Sequence, residues 1–378
     1  GTIKAVELER ENGHLQYSYD VTVAGQSGIT EVNVDAMTGT VLGVHRETAA
    51  DEAKEAAAEK SAGPGYHVAA TTVVGGDGGW DYVAFDAVGH RLFVARQTRV
   101  QVLDPATGKL LGEIPGLARA HGIAFADAYG HGFASSGTDS TVVMFDLKTL
   151  QVLGKATAAL DADAILFDPA SKHVFSFNGD SKSASVFDPS TGQNIGTIDL
   201  GAGPEFAVSA GDGRLYVNLE DAGAVAEIDA TTMKVTRRWS IAPCKGPTGL
   251  AMDRVHRVLF SGCAGSKMMA ISDATNGKLL TTLPIGAGVD ATGFDPETMN
   301  AFSSNGDGTL TVIHEDSPTT FSVAETVKTM PSARTMALDP ATHTVYTVGA
   351  KFGPAPAAGK RPPMLPGTFT LLVLKPGT

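Results

Sequence analysis

The chain has 378 residues with 44 glycines, 2 tryptophans and 19% charged residues, a composition that favours short strands and tight turns. Its net charge of −12 argues against nucleic-acid binding, because phosphates are neutralised by basic surfaces, and against docking on an anionic membrane. No apolar run approaches the roughly 20 residues of a transmembrane helix, so the chain is predicted not to span a membrane.

Residues 1–46 are predicted to form a separate small unit of strands. Apolar and polar side chains alternate, as in half-buried strands, over Ile3–Glu9, Leu15–Val23, Glu31–Asp35 and Val41–Val44. Val34–Val41 reads Val-Asp-x-x-Thr-Gly-x-Val, and on this run the unit resembles the second half of a PepSY domain, without the helix that normally precedes it. The resemblance implies an inhibitory or envelope-associated role. Because the chain begins with Gly1 and not Met, we expect a signal peptide and further residues to precede it.

Residues 47–63 are rich in Ala, Glu and Lys and are predicted to form a helical linker. Acidic residues lead this segment and Lys60 lies near its end, an order that suits the helix dipole. The sequence Gly63-Pro64-Gly65 ends the helix.

From residue 64 to the C-terminus the chain repeats one pattern seven times, at intervals of about 40 residues, which is the period of a four-stranded propeller blade. Each copy opens with an apolar strand that usually ends in Asp. The clearest copies are Tyr82–Asp86, Ala164–Asp168, Gly249–Asp253, Ala291–Asp295 and Thr335–Asp339. In the first repeat, Arg91–Ala95 is the second strand, Val100–Leu103 is the third, and Asp104–Gly108 is a turn with only a structural role.

The last repeat contains only three strands. The spare strand His67–Val74, just before the first repeat, is predicted to fill the vacant place and so close the ring without an exposed edge. The predicted fold class is therefore all-β, a seven-bladed β-propeller closed by an N-terminal strand.

Residues 64–378 resemble the YVTN-type seven-bladed propeller family of bacterial extracytoplasmic proteins. The resemblance is carried by the strands Arg91–Val94 and Arg214–Val217, by the Asp-x-x-Thr-Gly turns, and by segments such as Ser304–Val312. The family is functionally mixed, so the resemblance implies the fold and a location outside the cytoplasm but no particular activity.

The first strand of every blade lines the channel of a propeller, so the residue that enters each of these strands faces a common axis. Counted back from the strand-ending Asp, these ring positions are Asp81, His121, Asp163, Glu205, Thr248, Asp290 and Arg334. Gathered carboxylates are unfavourable unless they are paired, hydrated or bound to a cation. Either Arg334 and water satisfy them, or the ring is a cation or small-ligand site.

For the cation hypothesis, the predicted metal ligands are His121, Asp163, Glu205 and Asp290. Carboxylates alone favour Ca²⁺ or Mg²⁺, whereas the imidazole beside two carboxylates suits Zn²⁺ or Cu²⁺.

The loops between second and third strands lie on the same face and supply further candidate ligand contacts. The three chosen are Arg96, Asn178 and Asn305, although Asn-Gly turns of this kind also occur without any ligand. The last of these loops, Lys351–Gly367, is long and proline-rich. We expect it to cross part of the channel mouth and to bring Lys360 and Arg361 near the acidic ring.

The only two cysteines, Cys244 and Cys263, flank the first two strands of the fifth repeat. Adjacent antiparallel strands put both at the same end of one blade, within reach of a disulfide, although two free thiols are the alternative. A disulfide indicates an oxidising compartment and hence a periplasmic or secreted protein.

Three functions remain open. The first is a non-catalytic extracytoplasmic binding or scaffold protein that uses the channel mouth for a small ligand, metal ion or protein partner. The second is a metal-assisted hydrolase or lactonase, with Asp163, Glu205 and Asp290 on the ion and His121 or Asp81 moving the proton. The third is a structural subunit of an envelope or redox complex. Hydrolase, phosphate-loop and haem-attachment motifs are absent from the sequence.

Overall fold

The computed structural model describes residues 1–11, 14–23, 29–36, 38–47, 65–355 and 362–377. The chain divides into two compact units, Gly1–Gly65 and Tyr66–Thr378. The helical linker predicted over residues 47–63 lies outside the described residues, apart from Glu47, which ends a strand. Among the described residues, no helix combines the length and the apolar character needed to cross a bilayer.

The first unit is one antiparallel sheet with its strands in sequence order. The strands are β1 (Thr2–Glu11), β2 (His14–Thr22), β3 (Ile29–Asp35) and β4 (Val41–Glu47). The β3–β4 turn is held by Asp35, whose Oδ1 accepts hydrogen bonds from the Thr38 amide and hydroxyl at 2.7 and 3.0 Å. Gly39 follows with φ +71°, a conformation that favours glycine.

The second unit begins with β5 (Tyr66–Val73) and contains seven four-stranded antiparallel blades. The first two blades are joined in one six-stranded sheet. One long strand supplies the second and third positions of the first blade, and the next long strand supplies its fourth position and the innermost position of the second blade. The strands of this sheet are β6 (Val83–Asp86), β7 (Arg91–Leu103), β8 (Leu110–Ala126), β9 (His131–Ser136), β10 (Thr141–Asp146) and β11 (Val152–Thr157). A short 3-10 helix, Asp127–Tyr129, joins β8 to β9.

Four of the remaining blades are built from consecutive strands. The third and fourth blades contain β12 (Ala162–Asp168), β13 (His173–Asn178), β14 (Ser183–Phe187), β15 (Asn194–Asp199), β16 (Pro204–Ser209), β17 (Arg214–Leu219), β18 (Ala224–Asp229) and β19 (Lys234–Ser240). The fifth and sixth contain β20 (Pro247–Asp253), β21 (Val258–Cys263), β22 (Met268–Asp273), β23 (Leu279–Pro284), β24 (Val289–Asp295), β25 (Asn300–Asn305), β26 (Thr309–Ser317) and β27 (Thr320–Lys328).

The seventh blade closes the ring and confirms the predicted closure. It consists of β28 (Thr335–Asp339), β29 (Thr344–Gly349), β30 (Thr370–Pro376) and, as its outer strand, β5 from the start of the unit. The β5–β30 ladder runs from Val73 opposite Thr370 to Tyr66 opposite Pro376.

The second and third strands of the first blade were expected to be separate, but they form the single strand β7. The strand bends at Gln97, which has φ +52°, and pairs with β6 before the bend and with β8 after it. Similarly, β8 is the fourth strand of the first blade up to Pro115 and the innermost strand of the second blade from Ala120 onward. The number of blades is unchanged, because each of the two blades still contains four paired strand segments.

The two cysteines form a disulfide, as predicted. Cys244 precedes β20 and Cys263 ends β21, with their Cα atoms 5.5 Å apart. Both residues are buried. The bond therefore ties the loop that enters the fifth blade to the second strand of the same blade.

Candidate functional site

The innermost strands all begin at one end of the central channel, which we call the channel mouth. The side chains at the ring positions do not form one symmetric ring around this mouth; they fall into smaller groups. Asp81, His121 and Asp163 form one group, and Arg334 pairs with Asp290 through a 3.0 Å contact between Nε and Oδ2. Thr248 is buried and donates a hydrogen bond to the Val289 carbonyl at 3.0 Å, so its hydroxyl is used within the fold.

Tyr82 lies next to the ring carboxylates, and their charges affect its hydroxyl. Its side chain is half-buried, and its pKa is raised by burial and then by the negative charges of four carboxylates, in the order Asp163, Glu205, Asp81 and Asp290. The negative charge of all four acidic ring positions therefore acts on the Tyr82 hydroxyl, which shows that the four carboxylates lie around the same part of the channel.

His121 is the most deeply buried member of the first group, with 4% of its surface exposed. Its Nδ1 hydrogen-bonds to Asp81 Oδ2 and lies 3.1 Å from Asp163 Oδ1. Its Nε2 has no hydrogen-bond partner and lies 3.9 Å from Asp161 Oδ1, a carboxylate held by Arg119 at 3.1 Å. Burial opposes protonation, but the hydrogen bond to Asp81 and the charge of Asp163 outweigh it and raise the pKa of His121.

Three of the ring carboxyls, those of Asp163, Glu205 and Asp290, hold their protons more tightly than isolated acids do. Burial is the main cause in each case, and neighbouring acids add to it. Burial raises the pKa of Asp163 well above its ordinary value, despite the opposing charge of His121. Burial and the Glu220 carboxylate raise the pKa of Glu205 to about 8. Burial raises the pKa of Asp290 to about 6, against the lowering effect of Arg334.

The cluster Asp81–His121–Asp163, called the mouth cluster below, has the donor set of a metal site. One ligand atom from each residue lies within 4.8 Å of the others. Tetrahedral Zn²⁺ with bonds of about 2.0–2.1 Å separates its ligand atoms by about 3.3 Å. The 3.1 Å separation of His121 Nδ1 and Asp163 Oδ1 is close to this value, whereas the closer Asp81 carboxylate would have to move outward.

Of the four metal ligands predicted from sequence, His121 and Asp163 belong to the mouth cluster. Glu205 and Asp290 fall outside that three-residue group, and Asp81 takes part instead. Glu205 shares a hydrogen bond with Glu220, a loop residue that follows β17 and is not a ring position.

The channel beneath the ring is narrowed by two aromatic rings that sequence reasoning did not single out. Tyr82 and Phe206 follow the ring positions of the first and fourth blades, and their ring centroids are 5.2 Å apart. Other blades have small residues at this position, and a Cβ on Gly249 would lie 2.6 Å from the Thr292 amide nitrogen. A cavity of about 510 Å³ is lined by these aromatic side chains and by the innermost strands. The sequence signal that could have predicted this narrowing is the presence of two aromatic residues among small ones at the positions that follow the ring positions.

Arg96, Asn178 and Asn305, the three loop residues proposed as ligand contacts, are fully buried. Arg96 donates to the carbonyls of Asp77 and Gly78 at 2.9 and 3.0 Å, and its guanidinium lies 3.7 Å from the centroid of the Phe369 ring. The Asn178 and Asn305 amide nitrogens each donate to hydroxyls on the following strand of the same blade. These side chains therefore stabilise their own loops and strands.

A larger cavity, of about 1060 Å³, opens beside the ring between the sixth, seventh and first blades. Its walls include Trp80, Phe352, Lys351 and Arg334. The described ends of the long final loop form a small ladder here, with Gly353 donating to Pro363 and Leu365 donating to Lys351. Lys360 and Arg361, which were expected near the ring, lie outside the described residues.

Comparison with known proteins identifies the N-terminal unit and the fold. Residues 1–45 match the PepSY family, described as peptidase propeptide and YPEB domain. No curated protein matches the chain. The WD40 repeats of RRP9 align with a TM-score of 0.69 and 10% identity, over 83% of this chain and 99% of that one. Kuenenia stuttgartiensis hydrazine synthase aligns with a TM-score of 0.47 and 16% identity, over 64% of this chain and 97% of that one.

These findings confirm the PepSY prediction for the first unit and the propeller fold of the second. The likeness to the WD40 repeats is at low identity and shows the fold alone. Membership of the YVTN-type family stays a prediction.

Proposed function

We propose that this protein is an extracytoplasmic binding protein whose channel mouth takes up a divalent cation of the zinc and copper class. The mouth cluster supplies the ligands, and the cavity beside Arg334 receives the organic part of any ligand that accompanies the ion. The disulfide Cys244–Cys263 and the PepSY match both support a location outside the cytoplasm.

The observation that carries this proposal is the shortage of donors around His121. Its Nδ1 faces the carboxylates of both Asp81 and Asp163 but can donate only one proton, so one carboxylate is left without it. A cation at this position would interact with both carboxylates and with the neutral imidazole at once. An imidazole among the ligands favours Zn²⁺ or Cu²⁺ over Ca²⁺, which prefers oxygen atoms alone.

The raised pKa values of Asp163, Glu205 and Asp290 support a binding event that releases protons. Burial raises the pKa of Asp163 well above its ordinary value and that of Glu205 to about 8, so these carboxyls bind protons more tightly than free acids do. A divalent ion would replace those protons, so its affinity should rise with pH.

The first test compares metal binding by the wild-type chain and the Asp163→Asn variant. After dialysis against chelator, Zn²⁺ is titrated by calorimetry at pH 7.5. We expect about one mouth-bound ion in the wild type and at least a ten-fold loss of affinity in Asp163→Asn, because an amide oxygen is a weaker ligand than a carboxylate. The control is Asp290→Asn, a ring carboxylate outside the mouth cluster, which should bind Zn²⁺ within about three-fold of wild type. Equal binding by wild type and Asp163→Asn would refute the mouth site.

A second candidate function, metal-assisted hydrolysis, is favoured by the Glu205–Glu220 pair. A carboxyl whose pKa is about 8 can exchange a proton near neutral pH, as a general acid or base must. We expect any zinc-dependent turnover of ester or lactone substrates to fall at least 100-fold in Glu205→Gln, while Zn²⁺ binding is retained. Unchanged turnover in Glu205→Gln would exclude Glu205 from the reaction, and absence of turnover by the zinc-loaded wild type over a substrate panel would leave binding as the function.

A further inference from the structure

A second cluster lies between the fifth and sixth blades, at the end of the propeller opposite the channel mouth. Asp253 ends the innermost strand β20, His256 lies in the turn that follows, and Glu315 lies near the end of β26 in the next blade. We call these three residues the interblade cluster. His256 Nδ1 lies 2.6 Å from Asp253 Oδ2 and 2.8 Å from Glu315 Oε1.

Two buried carboxylates thus converge on one nitrogen. Asp253 and Glu315 are 1% and 3% exposed, so neither can rely on bulk water. Nδ1 donates at most one proton, and it cannot satisfy both acids. The hydrogen bond of His256 Nδ1 goes to Glu315 Oε1, which leaves Asp253 Oδ2 and Glu315 Oε2 buried without a donor, whereas Asp253 Oδ1 accepts the Val255 amide at 2.8 Å.

Two of the other blade interfaces lack this imbalance. At the next interface, His343 Nδ1 lies 2.7 Å from Asp295 Oδ2, and the second acid there, Glu297, is 73% exposed. Between the third and fourth blades, Asp168 accepts a hydrogen bond from the Ser209 hydroxyl at 2.5 Å. In both places a single buried carboxylate faces a donor from the neighbouring blade, so the second buried acid distinguishes the interblade cluster from these two interfaces.

We propose that the interblade cluster binds a divalent transition-metal ion such as Zn²⁺ through His256 Nδ1, Asp253 Oδ2 and Glu315 Oε1. The ion replaces the proton on Nδ1, which is released to solvent, and links the fifth blade to the sixth. All three ligand atoms already lie within 4.8 Å of one another.

The geometry fits after a small adjustment. The 2.6 and 2.8 Å contacts are shorter than the separation of about 3.3 Å between ligands of tetrahedral Zn²⁺, so the two acids move outward by about 0.5–0.7 Å. The His256 side chain is 34% exposed, which gives the ion a path from solvent and leaves room for a water molecule as the fourth ligand. A histidine with two carboxylates is a donor set that Zn²⁺ accepts.

The test uses the full chain carrying Asp163→Asn, so that the mouth cluster contributes little to binding. Zn²⁺ alone is titrated against a chromophoric zinc indicator at pH 7.5. We expect one remaining site per chain, and we expect Glu315→Gln in this background to weaken it at least ten-fold. The matched control is His343→Gln, at the interface with a single buried carboxylate, which should leave the affinity unchanged within two-fold.

Thermal unfolding separates lost ligation from lost folding. Glu315→Gln is nearly isosteric and should fold; if it does not, His256→Gln, at a side chain that is 34% exposed, replaces it. Zn²⁺ should raise the melting temperature of the background protein but not of the cluster variants. No Zn²⁺ uptake by the background protein, or equal uptake by all variants, would overturn the interblade site. The mouth site is judged separately, from the difference between wild type and Asp163→Asn.

Discussion

Removing β5 should destabilise the propeller severely, whereas removing everything before it should not. A chain that lacks residues 1–74 leaves β30 with an unpaired edge and loses the packing of Tyr66 against Phe302, whose ring centroids are 5.1 Å apart. It also loses the hydrogen bonds of the Tyr66 amide to Glu325 and of its hydroxyl to the His343 carbonyl. Burial of Tyr66 and partial burial of Val68 alone contribute about 3–5 kcal/mol, so we expect the melting temperature to fall by at least ~5 °C.

The matched control lacks residues 1–65 only and keeps β5 complete. Because Tyr66–Thr378 is a compact unit by itself, its unfolding transition should match that of the full chain. Circular dichroism and size-exclusion chromatography compare the two truncations, and the shorter protein should also associate through its open strand edge. If both truncations melt together as monomers, β5 does not hold the ring closed.

Replacing Glu205 by Gln should stabilise the protein at alkaline pH and leave it nearly unchanged in acid. The folded carboxyl has a pKa of about 8, above its ordinary value of 4.5, so the folded state holds a proton that the unfolded state releases between those values. Stability contributed by that proton is complete below pH 4.5 and declines as pH rises toward 8. Each pH unit corresponds to about 1.4 kcal/mol, so the wild type loses a few kcal/mol that the glutamine variant keeps.

Melting temperatures of chelator-dialysed protein at pH 5 and pH 8.5 test this expectation. The variant should melt several degrees above wild type at pH 8.5 and within about one degree of it at pH 5. Glu297→Gln, which replaces a 73% exposed carboxylate, should follow wild type at both values. A constant difference between Glu205→Gln and wild type across this range would mean that the Glu205 proton is not linked to folding.

The fold was readable from the sequence because the repeat is local. An apolar strand ending in Asp, followed by a turn such as Asp104–Gly108, carries its own hydrogen bonds: Asp104 Oδ1 accepts both the amide and the hydroxyl of Thr107. The same local logic placed Cys244 beside Cys263 and predicted that β5 completes the seventh blade.

The site was less readable because its contacts join different blades. Register identified the ring positions, but it could not predict that His121 turns toward Asp81 and Asp163 rather than toward Glu205. Arg96 has a polar side chain at a loop position, yet the carbonyls of Asp77 and Gly78 enclose it. These outcomes depend on side-chain directions and on backbone from other repeats.

The interblade cluster shows the same difficulty. Asp253 and His256 are three residues apart, but Glu315 approaches from another repeat, 59 residues beyond His256. The spacing of residues along the chain therefore gave no sign of this cluster.

The antiparallel seam between β5 and β30 also determines how the ring responds to mechanical load. Tyr66 lies opposite Pro376, so the chain enters the seam from the N-terminal unit at the same end where β30 finishes. Tension applied between these two points peels the strands apart one residue pair at a time instead of shearing the whole ladder together. When the chain is pulled at these two points, we therefore expect the β5–β30 ladder to separate at low force and the ring to open at the seventh blade.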